Sequence, residues 1–408
     1  MEGVSAGLGE TMKVLVLTSR FIWPLTDGGA IRDFNLLRET SRFHDVYLLC
    51  FLGSKKDREN FHMLEPYCKK IIGIERRRGK IKSAANAVLG SVGSRPFILR
   101  EYWRSEMASM LEKVVVEERI DVIHAHFLHM GQYAAYKSGA ALVLDAHNLE
   151  HVLWKRLAGK LRNPLAKAFA EMQSGKLARW EQLVSAETDV FVALSDGDRA
   201  EYLRLAPGAD AATVPNGVDL DYWRPSGNAV ETGSIIYFGN LGWLPQADAV
   251  ISFVNETFPR IVAARADAKL SIVGNNPPDS IRRLANERIV VTGYVDDIRE
   301  YIARAAVVVM PLRIGAGTKH RILQALAMKK AIVASSIAAE GMGLADSVNV
   351  IIADDSESFA KRTIELLGDP GLRERLGASG LNLMRERYSW TSIYAGLDAV
   401  FKRAASRR

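Results

Sequence analysis

The chain has 408 residues, more than one ordinary core accommodates, so two or three domains are expected. Its 48% hydrophobic and 25% charged residues exclude a disordered or fibrous chain, and a net charge of +7 favours anionic partners. Two cysteines, Cys50 and Cys68, exclude a disulfide framework and predict a reducing compartment; no apolar run is long enough for a membrane-spanning helix.

Residues 1–11 (MEGVSAGLGET) carry neither a basic nor an apolar segment and read as a flexible leader, not a secretory signal. The first strand is 13–19 (KVLVLTS). Gly28 and Gly29 then open a helix whose apolar stripe is read as Ile31, Phe34 and Leu37. Glycines between the first strand and first helix of a doubly wound sheet can mark a ligand site, although a plain turn has the same signature. Further strands are expected at 46–51 and 69–74. The stretches 75–107 and 154–180 interleave Lys and Arg with Leu, Phe, Tyr and Trp. That pattern fits contact with an anionic membrane surface, and equally the solvated faces of a globular domain. No nucleic-acid motif accompanies the charge, so no nucleic-acid partner is expected.

Strands 121–126 (DVIHAH) and 142–147 (LVLDAH) end in polar residues, at the edge where parallel sheets bind ligands. His124, His126, His147 and His151 cluster in sequence with Asp145, Asn148 and Glu150. Their spacing matches no zinc signature, and no metal is expected. Another strand, 190–194, leads to Asp196-Gly197-Asp198; this Asp-x-Asp pattern, like Asp219-Leu220-Asp221, fits metal-binding spacing. Ser195 and the acids after it are explained more simply as an N-cap and first helical turn. Pro215-Asn216-Gly217 is a strong turn signal, and 221–233 reads as a linker. Strand-helix alternation then restarts, with strands at 234–239, 269–274, 289–293, 307–312, 331–335 and 349–353. Two successive α/β domains with a crevice between them are implied.

The most unusual segment is 307–335. A buried strand is followed by Gly315 and Gly317, a helix from about 318 to 329, and a second buried strand. Arg313, Lys319, His320 and Arg321 crowd the helix start with no carboxylate among them in sequence. Cations beside the positive end of a helix are unfavourable unless an anion is bound. Glycine-exposed N–H groups and the dipole complete a phosphate site, here for a diphosphate. Thr318 precedes Lys319, so the order is not that of a Walker loop.

PNGVDLDYW, YFGNLGW, LSIVG, VTGYVDDI, MPLRIGAGTKHRILQALAMKKAIVASS and a late YSW occur in this order. Together they resemble the family-four glycosyltransferases of GT-B fold, and more narrowly the bacterial subgroup linked to exopolysaccharide assembly. The resemblance implies two facing Rossmann-like domains with parallel sheets: an acceptor-binding domain at 12–220 and a nucleotide-sugar domain at 234–385. It also implies that 386–408 form a helix returning to the first domain. Carried over by residue, Gly28 and Gly29 would lie near the donor diphosphate, and His126 would contact the donor sugar. Asp145, His147, Asn148 and Glu150 would line the acceptor side. Gly239, Asn240, Tyr294, Val295, Gly315, Gly317, Thr318 and Gln324 would hold the donor. Arg313, Lys319 and Arg321 would act on its phosphates. Three positions depart from the family pattern: Ala316 and Gln324 stand where it has glutamates, and Asn240 where it has arginine.

The expected activity is a retaining, metal-independent transfer of a sugar from a UDP- or GDP-type nucleotide sugar to a hydroxyl acceptor, a glycan or lipid-linked glycan. No cofactor is expected. The expected location is cytoplasmic, peripheral on the inner face of the plasma membrane. The alternatives are a catalytically silent nucleotide-sugar-binding partner and a GT-B epimerase. A dinucleotide oxidoreductase is disfavoured, since neither domain opens with Gly-x-Gly-x-x-Gly.

Overall fold

The structure, a computed structural model, describes residues 10–25, 27–76, 86, 89–159, 161, 163–225, 227, 229–313 and 320–407. The chain forms two compact units. Unit 1 comprises Met1–Pro215 and Ile393–Arg408, and unit 2 comprises Asn216–Ser392. The division falls in the Pro-Asn-Gly turn, a few residues before the stretch read as a linker.

Unit 1 is built on seven strands: β1 (Lys13–Thr18), β2 (Asp45–Leu52), β3 (Lys70–Glu75), β4 (Val122–His126), β5 (Ala141–Asp145), β6 (Val190–Ala193) and β7 (Ala211–Thr213). All neighbours are parallel, in the order β3-β2-β1-β4-β5-β6-β7. Val14, Leu15, Val16 and Leu17 are buried on both faces of β1, as continuous apolar runs in covered parallel sheets require. The strand order reverses between β1 and β4, which opens the carboxyl ends of these strands as a ligand site. β7 has no counterpart among the expected strands: three residues beside a Pro-Gly turn carry too short a pattern to register.

Unit 2 carries β8 (Ser234–Phe238), β9 (Lys269–Val273), β10 (Ile289–Gly293), β11 (Val307–Met310), β12 (Ile332–Ala334) and β13 (Ile351–Ile352). These are also parallel, ordered β10-β9-β8-β11-β12-β13, with the reversal between β8 and β11.

Six helices carry the charged and polar groups that bear on function: α1 (Gly28–Thr40), α2 (Glu150–Ala158), α3 (Pro164–Ser185), α4 (Leu244–Ser252), α5 (His320–Ala327) and α6 (Trp390–Ala405). Asp27 starts α1 by accepting hydrogen bonds from the Gly29 and Ala30 amides. The buried face of α1 is not the expected stripe. Ile31 and Phe34 are only half-buried, whereas Ala30, Arg32, Asp33, Leu36 and Leu37 are buried. Three charged residues, Arg32, Asp33 and, at the far end, Glu39, therefore sit on the core side. Most of α6 belongs to unit 1, where Asp398 meets His44 at 2.9 Å and Arg403 and Arg407 meet Asp210 at 3.2 and 2.7 Å.

Among the described residues no helix is long and apolar enough to cross a membrane.

Candidate functional site

Unit 1 concentrates its titratable groups at the carboxyl ends of β1, β4 and β5. His126 Nδ1 lies 2.6 Å from Asp33 Oδ1, and His126 Nε2 lies 3.1 Å from His124 Nδ1. His124 Nε2 faces Asp145 Oδ2 at 3.4 Å, and Arg32 closes on the same oxygen through Nε at 3.2 Å and Nη2 at 2.7 Å. Arg32 also donates to the Pro215 and Val214 carbonyls at 2.9 and 3.0 Å. Asp33, His126, His124, Asp145 and Arg32 are all buried. Both ring nitrogens of His126 are thus engaged inside the fold, and Asp145 is held in an internal ion pair.

The electrostatics follow from these contacts. Burial alone would raise the Asp33 carboxyl, but His147 and His126 outweigh it and hold it well below the usual carboxylate range. Asp145 behaves likewise, with Arg32 and His124 overcoming its burial. Burial, aided by His126, lowers His124 to about 4, so it is neutral near pH 7.

His147 Nε2 approaches Asp33 Oδ1 at 3.0 Å. The Phe127 ring stacks on the imidazole of His147 with centroids 4.0 Å apart, and the guanidinium of Arg20 lies 5.6 Å from the Phe127 centroid. Phe127 holds a left-handed backbone, φ 69°, rare for a bulky side chain and typical of functional positions. Arg20 in turn forms a two-pronged pair with Asp27, the cap of α1, at 2.6 and 2.7 Å. A Cβ at Gly29 would stand 2.6 Å from Arg20 Nη2 and 3.4 Å from His147 Nδ1, so this turn admits only glycine without displacement. Asn148 beside it is exposed.

Behind this group, His151 Nδ1 bonds the buried Glu181 carboxylate, and Glu201 lies 3.6 Å from Nε2. Burial and the nearby Glu181 raise Glu150 to about 7. Asp33, His126 and His147 offer three ligand-type atoms within 4.8 Å of one another, a set that could coordinate a metal by donor type. The 2.6 Å Asp33–His126 separation is that of a charge-assisted hydrogen bond. The Asp-x-Asp patterns resolve as caps. Ser195 Oγ accepts from the Asp198 amide, and Asp219 Oδ1 accepts from the Asp221 and Tyr222 amides.

In unit 2, the loops after β8 and β9 touch backbone to backbone, since a Cβ at Gly274 would overlap the Gly239 carbonyl. A Cβ at Gly239 would collide with Gln246 Oε1 of α4 and stand 2.6 Å from Arg321 Cζ of α5. Two polar groups, Gln246 and Arg321, therefore converge on Gly239, and Tyr237 lies near the Arg321 guanidinium. The Gln246 Oε1 and Tyr237 Oη atoms are buried without a hydrogen-bond partner among the described residues. Among the described residues Arg321 meets no carboxylate, and its burial lowers its proton affinity. Asn240 Oδ1 accepts from the Gly242 amide at 3.2 Å, shaping the same turn. Gln324 lies one turn further along α5 and is half-buried; Tyr294 is exposed, and Val295 packs on the core.

Arg313 differs from Arg321. It donates to Ser252 Oγ at 2.7 Å and lies 3.8 and 3.7 Å from Asp248 and Glu256, so carboxylates distant in sequence already meet its charge. Gly315, Ala316, Gly317, Thr318 and Lys319 lie outside the described residues. Sequence reasoning missed Arg32, Asp33, Tyr237 and Gln246. For Asp33 a signal existed: it is three residues after Ala30 and four before Leu37, on one helical face with both.

Comparison with known proteins bears on both units. Residues 27–222 match the sequence profile described as Glycosyltransferase Family 4, and residues 232–369 match that of Glycosyl transferases group 1. An uncharacterized protein of the Klebsiella pneumoniae cps region is 21% identical over 94% of this chain and 98% of its own. The phosphatidyl-myo-inositol mannosyltransferase of Mycobacterium leprae is 28% identical over 57% of this chain and 63% of its own. Among solved structures, Anabaena HepE in complex with UDP superposes with a TM-score of 0.67 at 13% identity, over 96% of this chain and all of the other.

Proposed function

The chain belongs to the family-four glycosyltransferases and has their GT-B fold, and from that premise we propose a retaining, metal-independent transfer from a nucleoside-diphosphate sugar to a hydroxyl acceptor. The observation that carries the donor reading is Arg321. Its guanidinium meets no carboxylate among the described residues and packs against Gly239, beside two buried polar atoms that lack partners. A half-buried cation with no carboxylate beside it among the described residues is costly, and a bound anion removes that cost. A diphosphate supplies the anion, and the N-terminal end of α5 adds its dipole.

The leaving diphosphate gains negative charge as the glycosidic bond breaks. Fixed positive charge at that place stabilises the transition state more than the ground state. Arg321 and Lys319 fill this role without a metal, and Arg313, already paired, contributes less. The same face of the sugar is attacked as the diphosphate leaves, which retains the anomeric configuration. The donor nucleoside is uridine or guanosine; HepE, whose structure contains UDP, supports the former. A glycan or lipid-linked glycan of a bacterial surface polysaccharide is the acceptor, in line with the cps-region relative. The enzyme works on the cytoplasmic side at a membrane face. Exposed Leu153, Leu157 and Leu165 beside Lys155, Arg156 and Lys167 support that placement.

The test is turnover of a panel of UDP- and GDP-sugars with glycan and lipid-linked acceptors, with and without EDTA. Transfer that keeps the anomeric configuration and ignores EDTA supports the reading. Inversion, or loss of activity restored by a divalent ion, contradicts it.

A further inference from the structure

We propose that unit 1 holds an oxyanion site of its own, centred on the guanidinium of Arg95 with Arg100 beside it, and that it receives a phosphate group of the acceptor. That the ligand is an acceptor rests on the glycosyl transfer proposed above; the site itself rests on the charges and hydrogen bonds of these residues.

From Arg76 to Arg100 the sequence contains Arg and Lys but no Asp or Glu. Residues 89–100 of this stretch are held in place by α3. Gln173, fully buried, accepts from the Phe97 amide at 2.9 Å and donates to the Gly90 carbonyl at 3.0 Å. Lys176 Nζ donates to the Gly90, Ser91 and Gly93 carbonyls at 2.7, 3.0 and 2.7 Å. Arg95, half-buried, therefore stands on a fixed loop. Its Nη2 donates to Gln132 Oε1 at 2.6 Å, and its Cζ lies 5.0 Å from the centroid of Trp103, whose ring stacks on Tyr133. Arg100 packs against the same loop, where its Nη2 would stand 2.7 Å from a Cβ on Gly93.

No charge balances these two cations. Among the described residues neither meets a carboxylate, and Glu101, next in sequence, faces Arg76 at 3.7 Å and Asn86 at 2.6 Å instead. Burial lowers the proton affinity of Arg95, and the charge of Arg100 lowers it further. What holds Arg95 is a neutral amide and an aromatic face, which fix its position without cancelling its charge. The amide is itself incomplete. With Oε1 taken by Arg95, Gln132 Nε2 is a buried donor without a partner among the described residues. A guanidinium and an amide N–H side by side both donate, and an oxyanion satisfies both. With a second guanidinium present, phosphate fits better than carboxylate, having more charge and more acceptor oxygens. Gln132 belongs to the turns Leu128–Tyr136 that follow β4, so the site lies at the carboxyl end of the sheet, on the ligand side. A run of rings joins it to the group at the strand ends. Arg76 lies 3.9 Å over Tyr102, Tyr102 stands 4.1 Å from His129, and Phe127 lies 5.6 Å from His129 and 4.0 Å from His147.

The test is calorimetric titration, at low ionic strength, of the full chain carrying Lys319→Ala and Arg321→Met, so that the start of α5 takes no part. The probes are glucose 1-phosphate, inorganic phosphate, methyl α-glucoside and phosphatidylglycerol vesicles. Glucose 1-phosphate is expected to bind at least about tenfold more tightly than methyl α-glucoside. Gln132→Glu, added to this background, separates the site from the scaffold. It puts a carboxylate where the amide oxygen meets Arg95, keeping the contact and cancelling the charge. Affinity for glucose 1-phosphate should then fall about 10- to 100-fold, while the thermal midpoint stays or rises. Arg95→Gln with Arg100→Gln should lose binding to the same extent; if that pair unfolds the chain, Gln132→Glu still decides. Unaltered binding in Gln132→Glu, or glucose 1-phosphate that does not bind while inorganic phosphate does, would overturn the proposal. So would vesicle binding that needs Arg95 and Arg100 when neither soluble phosphate binds, a result that assigns these arginines to a membrane surface. UDP is titrated separately into the parent chain. If it does not bind, the donor reading fails, and the phosphate titration still decides this site.

Discussion

Asp33 and His126 face each other across 2.6 Å, both fully buried, on a helix and a strand far apart in sequence. Removing the Asp33 carboxylate leaves the buried Nδ1 of His126 without its partner, at a cost of about 3–5 kcal/mol. Asp33→Asn is therefore expected to lower unfolding free energy by that order in urea titrations. Arg20→Ala, which breaks an ion pair with partners 36% and 48% exposed, should change it by less than about 1 kcal/mol. Equal effects of the two variants would show that the buried pair has no special weight.

Acid lability follows from His124. Its folded-state value, about 4, lies below the ordinary 6.5, so its contribution to stability is complete above pH 6.5 and lost as pH falls toward 4. His129, lowered to about 3 by burial and then by Arg76, acts in the same direction over a slightly wider window. Together they predict a fall in unfolding free energy of a few kcal/mol, roughly 3 for each at most, between pH 6.5 and 4. Asp33 and Asp145 contribute no slope there, being held far below it. Glu150 has the opposite sign: raised to about 7, it contributes most below pH 4.5 and loses this as pH rises. Glu150→Gln should thus stabilise the protein by about 3 kcal/mol at pH 8 and leave it unchanged at pH 4.5. Denaturant midpoints at the two pH values decide both points.

Much of the fold is legible in the sequence, and the parts that are not have a common cause. The parallel strands announce themselves as Val- and Ile-rich runs, and the crowding of cations before Ile322 points to Arg321. Asp33 and Arg32 escape notice because a charge on an amphipathic helix is by default assigned to the solvent side; here each is buried only because a partner from another strand or loop meets it. The Asp248 and Glu256 partners of Arg313 come from α4 and the helical turn that continues it, so only the folded chain brings them together. Long-range pairing of charges leaves no local pattern to read.

Arg321→Met separates a ligand-binding cation from a structural one. A structural guanidinium would be missed on removal. One kept for an anion would not, so the unliganded protein should be as stable as the parent or slightly more so. Nucleotide affinity should nevertheless fall about 10- to 100-fold, the worth of a charged hydrogen bond. Thermal shifts with and without nucleotide read both quantities. A large loss of stability without ligand would assign Arg321 to the scaffold.

Membrane contact is expected to depend on α2 and the start of α3. Leu157 and Leu165 are 44% and 81% exposed, and Lys155, Arg156 and Lys167 stand on the same helices. Flotation with phosphatidylglycerol-containing vesicles should recover the protein at low salt, less at high salt, and little of a Leu157→Glu, Leu165→Glu variant. Equal flotation of variant and parent would move the contact elsewhere.

The most direct measurement is calorimetric titration of the folded protein with UDP, GDP, ADP and TDP, repeated on a variant lacking both Lys319 and Arg321 side chains. Saturable binding of at least one nucleotide by the parent, weakened about a hundredfold or more in the variant, is the predicted result. A folded parent that binds none of them, or a variant that binds as well as the parent, would contradict a diphosphate site at the start of α5.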